Sequence, residues 1–115
     1  MIEAALRGEA PAAVHVDVQV LGAAPPAVVS LDHPAVALAA GALEATWGRP
    51  PVYQRGGGTI PAVGGFSGRL GIPTLMLGFG LPTSNAHAPN EWLLLDNFTK
   101  GTEAVVRLWH ALAEA

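Results

Sequence analysis

The segment Ile72-Pro73-Thr74-Leu75-Met76-Leu77-Gly78-Phe79 constrains this chain more than any other. It is almost continuously apolar and of strand length, the pattern of a strand buried on both faces in a parallel sheet. Such a strand needs neighbours for its backbone and a helix layer on each face. The rest of the sequence offers few candidates. Val14-His15-Val16-Asp17-Val18-Gln19-Val20 alternates apolar and polar residues and predicts a strand that covers one side of a core. Val52-Tyr53-Gln54-Arg55 is short and β-prone. One doubly buried strand with flanking helices cannot complete a covered sheet. The pattern therefore implies strands from another chain, or a C-terminal piece of a longer protein.

Helices are easier to place. Ala4, Ala5 and Leu6 are good helix formers, and Gly8 and Pro11 stop that run. Asp32 can cap a helix that opens at Pro34, carries Val36, Ala39, Ala40, Leu43 and Trp47 as a stripe, and ends at Gly48. Pro61 to Leu70 predicts a helix of low propensity, broken by Gly64, Gly65 and Gly68 and ended by Gly71. Asp96 can cap a last helix with Phe98, Gly101, Val105, Leu108 or Trp109, and Leu112 facing inward. Trp47 and Trp109 both fit core stripes. The composition changes at Gly56-Gly57-Gly58, which marks a crossing between two units.

Composition narrows the function classes. Half of the 115 residues are hydrophobic and the net charge is −3, with lysines and arginines scattered singly. That leaves no basic stripe for a nucleic-acid backbone. No cysteine is present, so disulfides, thiolate metal ligands and a thiol nucleophile are excluded together. No apolar stretch is long enough to span a membrane and the N-terminus does not read as a signal peptide, so a cytoplasmic protein without membrane contact is the expectation.

Two segments could carry chemistry. His87, in Ser84-Asn85-Ala86-His87-Ala88-Pro89-Asn90-Glu91, follows the apolar run directly, where open α/β sheets place ligands. A lone loop histidine is more often a solvated or hydrogen-bonded residue than a metal ligand, and Glu91 and Asp96 form no recognised ligand spacing with it. Gly56-Gly57-Gly58-Thr59 precedes a helix, so its amides and hydroxyl could cradle a carboxylate or phosphate. It reads equally as a hinge with Thr59 as N-cap. His15, His33 and His110 read as structural, His33 at a helix-cap position. Trp92, beside the His87 loop, could line a pocket.

Four motifs occur in order: Arg55-Gly-Gly-Gly-Thr59-Ile60-Pro61, Leu70-Gly71-Ile-Pro-Thr-Leu-Met-Leu-Gly78-Phe-Gly, Ala86-His87-Ala-Pro-Asn90-Glu91, and Asp96-Asn97-Phe98 with Gly101. With the upstream Asp32-His33-Pro34 helix, they make the chain resemble the C-terminal region of the co-catalytic zinc metallopeptidases. This family includes carnosine-type dipeptidases, glutamate carboxypeptidases, aminoacylases, acetylornithine deacetylase and succinyl-diaminopimelate desuccinylase. The Gly-Gly-Thr-Ile-Pro and His-Ala-Pro-Asn-Glu wording is closest to the dipeptidase branch.

The resemblance implies an α/β with α+β fold. Residues 1–56 would be the second half of an α+β lid that makes a homodimer, and residues 57–115 the last helix-strand-helix of an α/β catalytic domain. It implies that His87 ligates one of two divalent metals, zinc first with manganese or cobalt as alternatives. Gly58 and Thr59 would hold the substrate carboxylate, and Glu91 would order the loop behind the ligand. The family's remaining ligands and its general base lie in an N-terminal half that this chain does not contain, so no catalytic residue falls in the segment and the isolated chain is expected to be inactive. The implied substrates are dipeptides or N-acyl amino acids, hydrolysed by a metal-activated water. Two other readings stand beside this one: a non-catalytic oligomerisation module using Val14–Leu21 and the Pro34–Trp47 helix, and a small carboxylate-binding protein using Gly56–Thr59.

Overall fold

A computed structural model describes residues 2–23, 26–56, 60 and 62–115. Four helices follow one another: α1 (Ile2–Glu9), α2 (Pro34–Trp47), α3 (Ala62–Leu70) and α4 (Leu95–Ala113). Among the described residues no strand forms. Val14–Val20, Val52–Arg55 and Ile72–Phe79 each lie unpaired, so the expected α/β with α+β character lacks its β part, and the helix-strand-helix unit is corrected to helix, unpaired segment, helix. The reason is non-local. A helix closes its hydrogen bonds within itself, whereas a strand has none until a second strand lies beside it.

The local signals for the helices act largely as their chemistry dictates. Pro34 occupies the first turn of α2, where its missing N–H costs nothing. The cap is His33 rather than the expected Asp32: its Nδ1 accepts the Ala35 amide at 3.2 Å. Gly48 closes the helix in the left-handed region at φ 69°, donating its amide to the Glu44 carbonyl at 2.7 Å. Gly71, at φ 63°, similarly ends α3 and lets the Ile72 amide reach the Phe66 carbonyl at 3.2 Å. In α4 the cap position belongs to Leu94, with no side-chain bond. Asp96 lies in the first turn instead, where its charge suits the helix N-terminus and its carboxylate pairs with Lys100 at 3.3 Å.

The core is narrow and rests on small residues. Ala39 and Ala42 of α2 and Gly101 and Ala104 of α4 are buried, and side chains this short let two helices approach closely. Leu108 completes the buried cluster, with Leu38, Leu75 and Leu77 packed against it. The inward face of α4 is therefore Gly101, Ala104 and Leu108. Phe98, Trp109 and Leu112, expected to face inward, are exposed. Trp47 is half-buried and stacks on Phe79, with ring centroids 5.8 Å apart and planes 7° from parallel.

The apolar run keeps the period of a strand without the pairing of one. Leu75, Leu77 and Phe79 are half-buried, while Met76 and Gly78 between them are exposed. One face is covered and the other is open, half of what the sequence predicts. The open cleft beside it, about 1050 Å³, is lined by Leu43, Trp47, Val52 and Met76 among others. Away from α2 and α4 little is buried. α1 has no buried residue. Val16 and Val18 are half-buried, whereas Val14 and Val20 are exposed. The radius of gyration is 19.2 Å, against about 13 Å for a compact domain of this length. No described helix is long and apolar enough to cross a membrane.

Three substitutions test this packing in thermal melts followed by helical circular dichroism. A Cβ at Gly101 would lie 2.9 Å from Phe79 Cδ2, and the stack on Trp47 opposes movement of that ring. Gly101→Ala should therefore destabilise by about 1 kcal/mol, overpacking outweighing the gain in helix propensity. Gly41, also within a helix but exposed with open space around its Cβ position, is the control: Gly41→Ala should stabilise by about 0.5 kcal/mol or more. Asn97→Ala removes the bond from Nδ2 to the Phe79 carbonyl, 2.8 Å, and should cost about 1 kcal/mol.

Candidate functional site

The segment after Phe79 is irregular, and its shape follows from a few hydrogen bonds. Asn97, in the first turn of α4, donates from Nδ2 to the Phe79 carbonyl and fixes where the loop departs. Ser84 is buried, the buried polar side chain among the described residues. Its Oγ accepts the Leu81 amide at 3.0 Å, and its own amide donates to the Leu81 carbonyl at 2.9 Å. Its carbonyl accepts the Trp92 amide at 3.0 Å. The Trp92 indole Nε1 then donates to the Thr83 carbonyl at 2.9 Å. Residues 81–84 are thus tied to Trp92, and 85–91 form a closed span between them.

His87 lies within that span. Its side chain is exposed and its backbone adopts φ 63°, with Asn85 at 54° and Asn90 at 60° on either side. The Ala88 amide bonds to the Asn85 carbonyl at 2.9 Å, making a turn around the histidine. Glu91, expected to order the loop, is exposed and follows Asn90 at the end of the span. The hydrogen bonds that tie the loop in this structure involve Ser84, Trp92 and Asn97. Trp92 is exposed to 42% yet anchored by its indole. The signal for these three was weak: Asn97 stands inside a motif and Ser84 two residues before one, but neither residue type shows in sequence which backbone group its side chain will hold.

The donor set is limited. A zinc site needs three or four protein ligands. Among the described residues no three histidine, aspartate or glutamate side chains come together in a way that could hold a metal. His87 offers a single exposed imidazole on a tied loop, chemistry that suits one donor of such a set and no more. His33 is engaged as a helix cap through Nδ1. His15 and His110 are exposed on other elements. Asp17 and Gln19, on the polar side of their segment with His15, bond each other at 3.2 Å. Gly58 and Thr59, the expected carboxylate cradle, fall outside the described residues, as does Gly57. The open cleft beside α2 has neither His87 nor Glu91 in its lining.

Comparison with known proteins adds what geometry alone does not carry. The Cys-Gly metallodipeptidase dug1 of Schizosaccharomyces pombe is 39% identical over 72 residues, which is 63% of this chain and 15% of the relative. The Cys-Gly metallodipeptidase DUG1 of Candida albicans is 32% identical over 77 residues, 67% of this chain and 16% of the relative. The chain therefore spans only about one sixth of the length of these relatives. No solved structure matches. The profile of Peptidase family M20/M25/M40 matches residues 3–111, nearly the whole length, and the chain belongs to that family.

Proposed function

We propose that this chain is the C-terminal segment of a metal-dependent dipeptidase or related amidohydrolase, and that His87 is the metal ligand it contributes. The observation that carries this reading is the family match over residues 3–111, together with a histidine held on a tied loop directly after the apolar run. Membership of a fold family supplies a reaction class and nothing finer, so the substrate is given as a class: a dipeptide or an N-acyl amino acid. The similarity to two Cys-Gly metallodipeptidases favours the dipeptide.

In this reading residues 1–56 belong to a lid that also makes a homodimer, and residues 57–115 to the catalytic domain, with the α2–α4 contact running between them. Two divalent ions, zinc first and manganese or cobalt as alternatives, are completed by ligands from an N-terminal half. When bound, such ions would supply a coordinated water of lowered pKa and a Lewis acid toward the amide carbonyl. The chain's own residues do three things toward that. His87 donates one imidazole nitrogen. Gly58 and Thr59 offer an amide and a hydroxyl to the substrate carboxylate. Glu91 carries an acidic group four residues from His87, where it can order the loop once partners surround it. With one ligand and no base, the chain alone is inactive.

The exposed Val14, Val20 and Leu21 favour a second reading in which the isolated chain is a self-association module. The two readings separate in one measurement. In native mass spectrometry, zinc should be absent from the chain alone and present after mixing with a separately produced N-terminal catalytic half; self-association without metal in either sample supports the module. In the longer protein His87→Ala should lower amide hydrolysis by about a hundredfold or more, since even partners behind a ligand cost ten- to a hundredfold. Unchanged hydrolysis would sink the assignment.

A further inference from the structure

One cleft and one segment of this chain complement each other in size, polarity and charge. Val36, Ala39, Ala40, Leu43 and Trp47 give the cleft a wall of α2, and residues 52–55 and 74–79, two of the unpaired β-prone stretches, line it as well. Among the described residues the backbone of residues 74–78 has no backbone partner. A strand in a sheet occupies roughly 160 Å³ per residue, from a rise of about 3.3 Å, a spacing of about 4.8 Å and a depth of about 10 Å. The cleft, about 1050 Å³, therefore holds a strand of about six or seven residues. It is open to water on one side, so a strand seated there needs an apolar face toward α2 and a polar face outward.

The third unpaired β-prone stretch, residues 14–20, has that pattern and that length. Its four valines share one face, and His15, Asp17 and Gln19 share the other. None of its residues lines the cleft of its own chain, and Val14 and Val20 are 54% and 83% exposed. Charge matches as well. Arg49 and Arg55 line the cleft, no acidic residue does, and among the described residues neither arginine is in an ion pair. Asp17 carries the one carboxylate of the strand. We infer that residues 14–20 of a second copy of this chain seat in the cleft, with valines against α2, Asp17 toward the two arginines, and backbone paired to residues 74–78. Made in both directions, the exchange closes a two-fold dimer and leaves neither strand nor cleft unmatched. The inference rests on the self-association reading and deepens it by naming the two surfaces that meet.

The test uses the 115-residue chain itself. Sedimentation equilibrium should show a dimer that dissociates on dilution. Val16→Lys charges the inner face of the strand and Met76→Lys charges the cleft. Each should weaken association about tenfold or more, with helical circular dichroism unchanged. If Val16→Lys loses helix, Val20→Lys at an exposed position replaces it. Mixed together, the strand and cleft variants should associate more tightly than either does alone, because each keeps the surface the other has lost. The sequence has no cysteine, so Val18→Cys in one chain and Met76→Cys in another can be joined selectively by a short bis-maleimide. The product linking the two different chains should dominate over either product linking two identical ones.

A parent still monomeric at about 1 mM would overturn the self-association reading and the inference with it. A dimer that ignores both lysines, a mixture no tighter than its components, or cross-linking without preference for the mixed product would overturn the inference alone and leave self-association standing. Protection of Met76→Cys from maleimide in a monomer, released by Val16→Lys in the same chain, would give the cleft to the chain's own strand and overturn the inference. Protection only on adding a separately produced N-terminal half would give the cleft to that half, with the same consequence.

Discussion

Phe79 joins the two packed helices of this chain, α2 and α4. Its ring lies on Trp47 of α2 and against the backbone of α4 at Gly101, and its carbonyl accepts the Asn97 side chain. The ring can fit there only because position 101 has no Cβ. Small residues elsewhere on the contact serve the same end, since Ala39, Ala42 and Ala104 bring the helices close and leave room for Leu75 and Leu77 at the seam. A core of this kind relies on fit more than on apolar area, because each alanine removes little surface from water. The same residue passes the packing on to the loop. The chain turns away just after Phe79, so whatever seats that ring also sets where the His87 loop begins.

Outside this joint the chain is poorer in burial than its length allows. Its accessible surface is 9382 Å², whereas a compact monomer of this size exposes about 5,900 Å². Part of the surplus lies where strands were expected. Met76 and Gly78 face open space on the uncovered side of the apolar run, and Val20, Leu21, Val28 and Val52 are exposed beyond it. The backbone of the run adds unpaired amides and carbonyls to the same surface. A partner that relieves both must bring strands, since only another extended backbone satisfies an extended backbone along its length. α2 makes the same demand from the helical side: its one charged residue is Glu44, yet only Val36, Ala39 and Ala42 are buried.

What could be read from the residues follows the range of the interaction involved. Pro34, Gly48 and Gly71 act through their own φ angles and neighbouring amides, so the ends they mark are where the sequence indicates. His33 displaced Asp32 as the cap because either side chain can reach the same amides, and a shift of one residue in where the helix starts decides between them. Trp109 fits the stripe of α4 by period, but the contact with α2 is made by small residues, and the indole has nothing to cover it. Ile72–Phe79 retains its alternation without its pairing, since the period is a property of the segment and the ladder is a property of two. Ser84 was the least legible. Its burial and its bonds to Leu81 and Trp92 arise only once the loop has folded back on itself.

The site element and the scaffold thus differ in what they need. The hydrogen bonds that shape residues 81–92 are donated and accepted between Phe79 and Asn97, a stretch that includes the loop and the first turn of α4. The sheet that would carry such a loop depends on backbone the chain does not pair. A loop tied locally and a strand left open make one division of labour: the path of residues 81–92 is set by short-range bonds inside this segment, while the backbone of Ile72–Phe79 finds no strand among the described residues. Under that division, docking of the open face does not have to build the His87 loop. On the proposed reading it has only to bring further donors to that loop, which separates the free energy of assembly from the precision of the site.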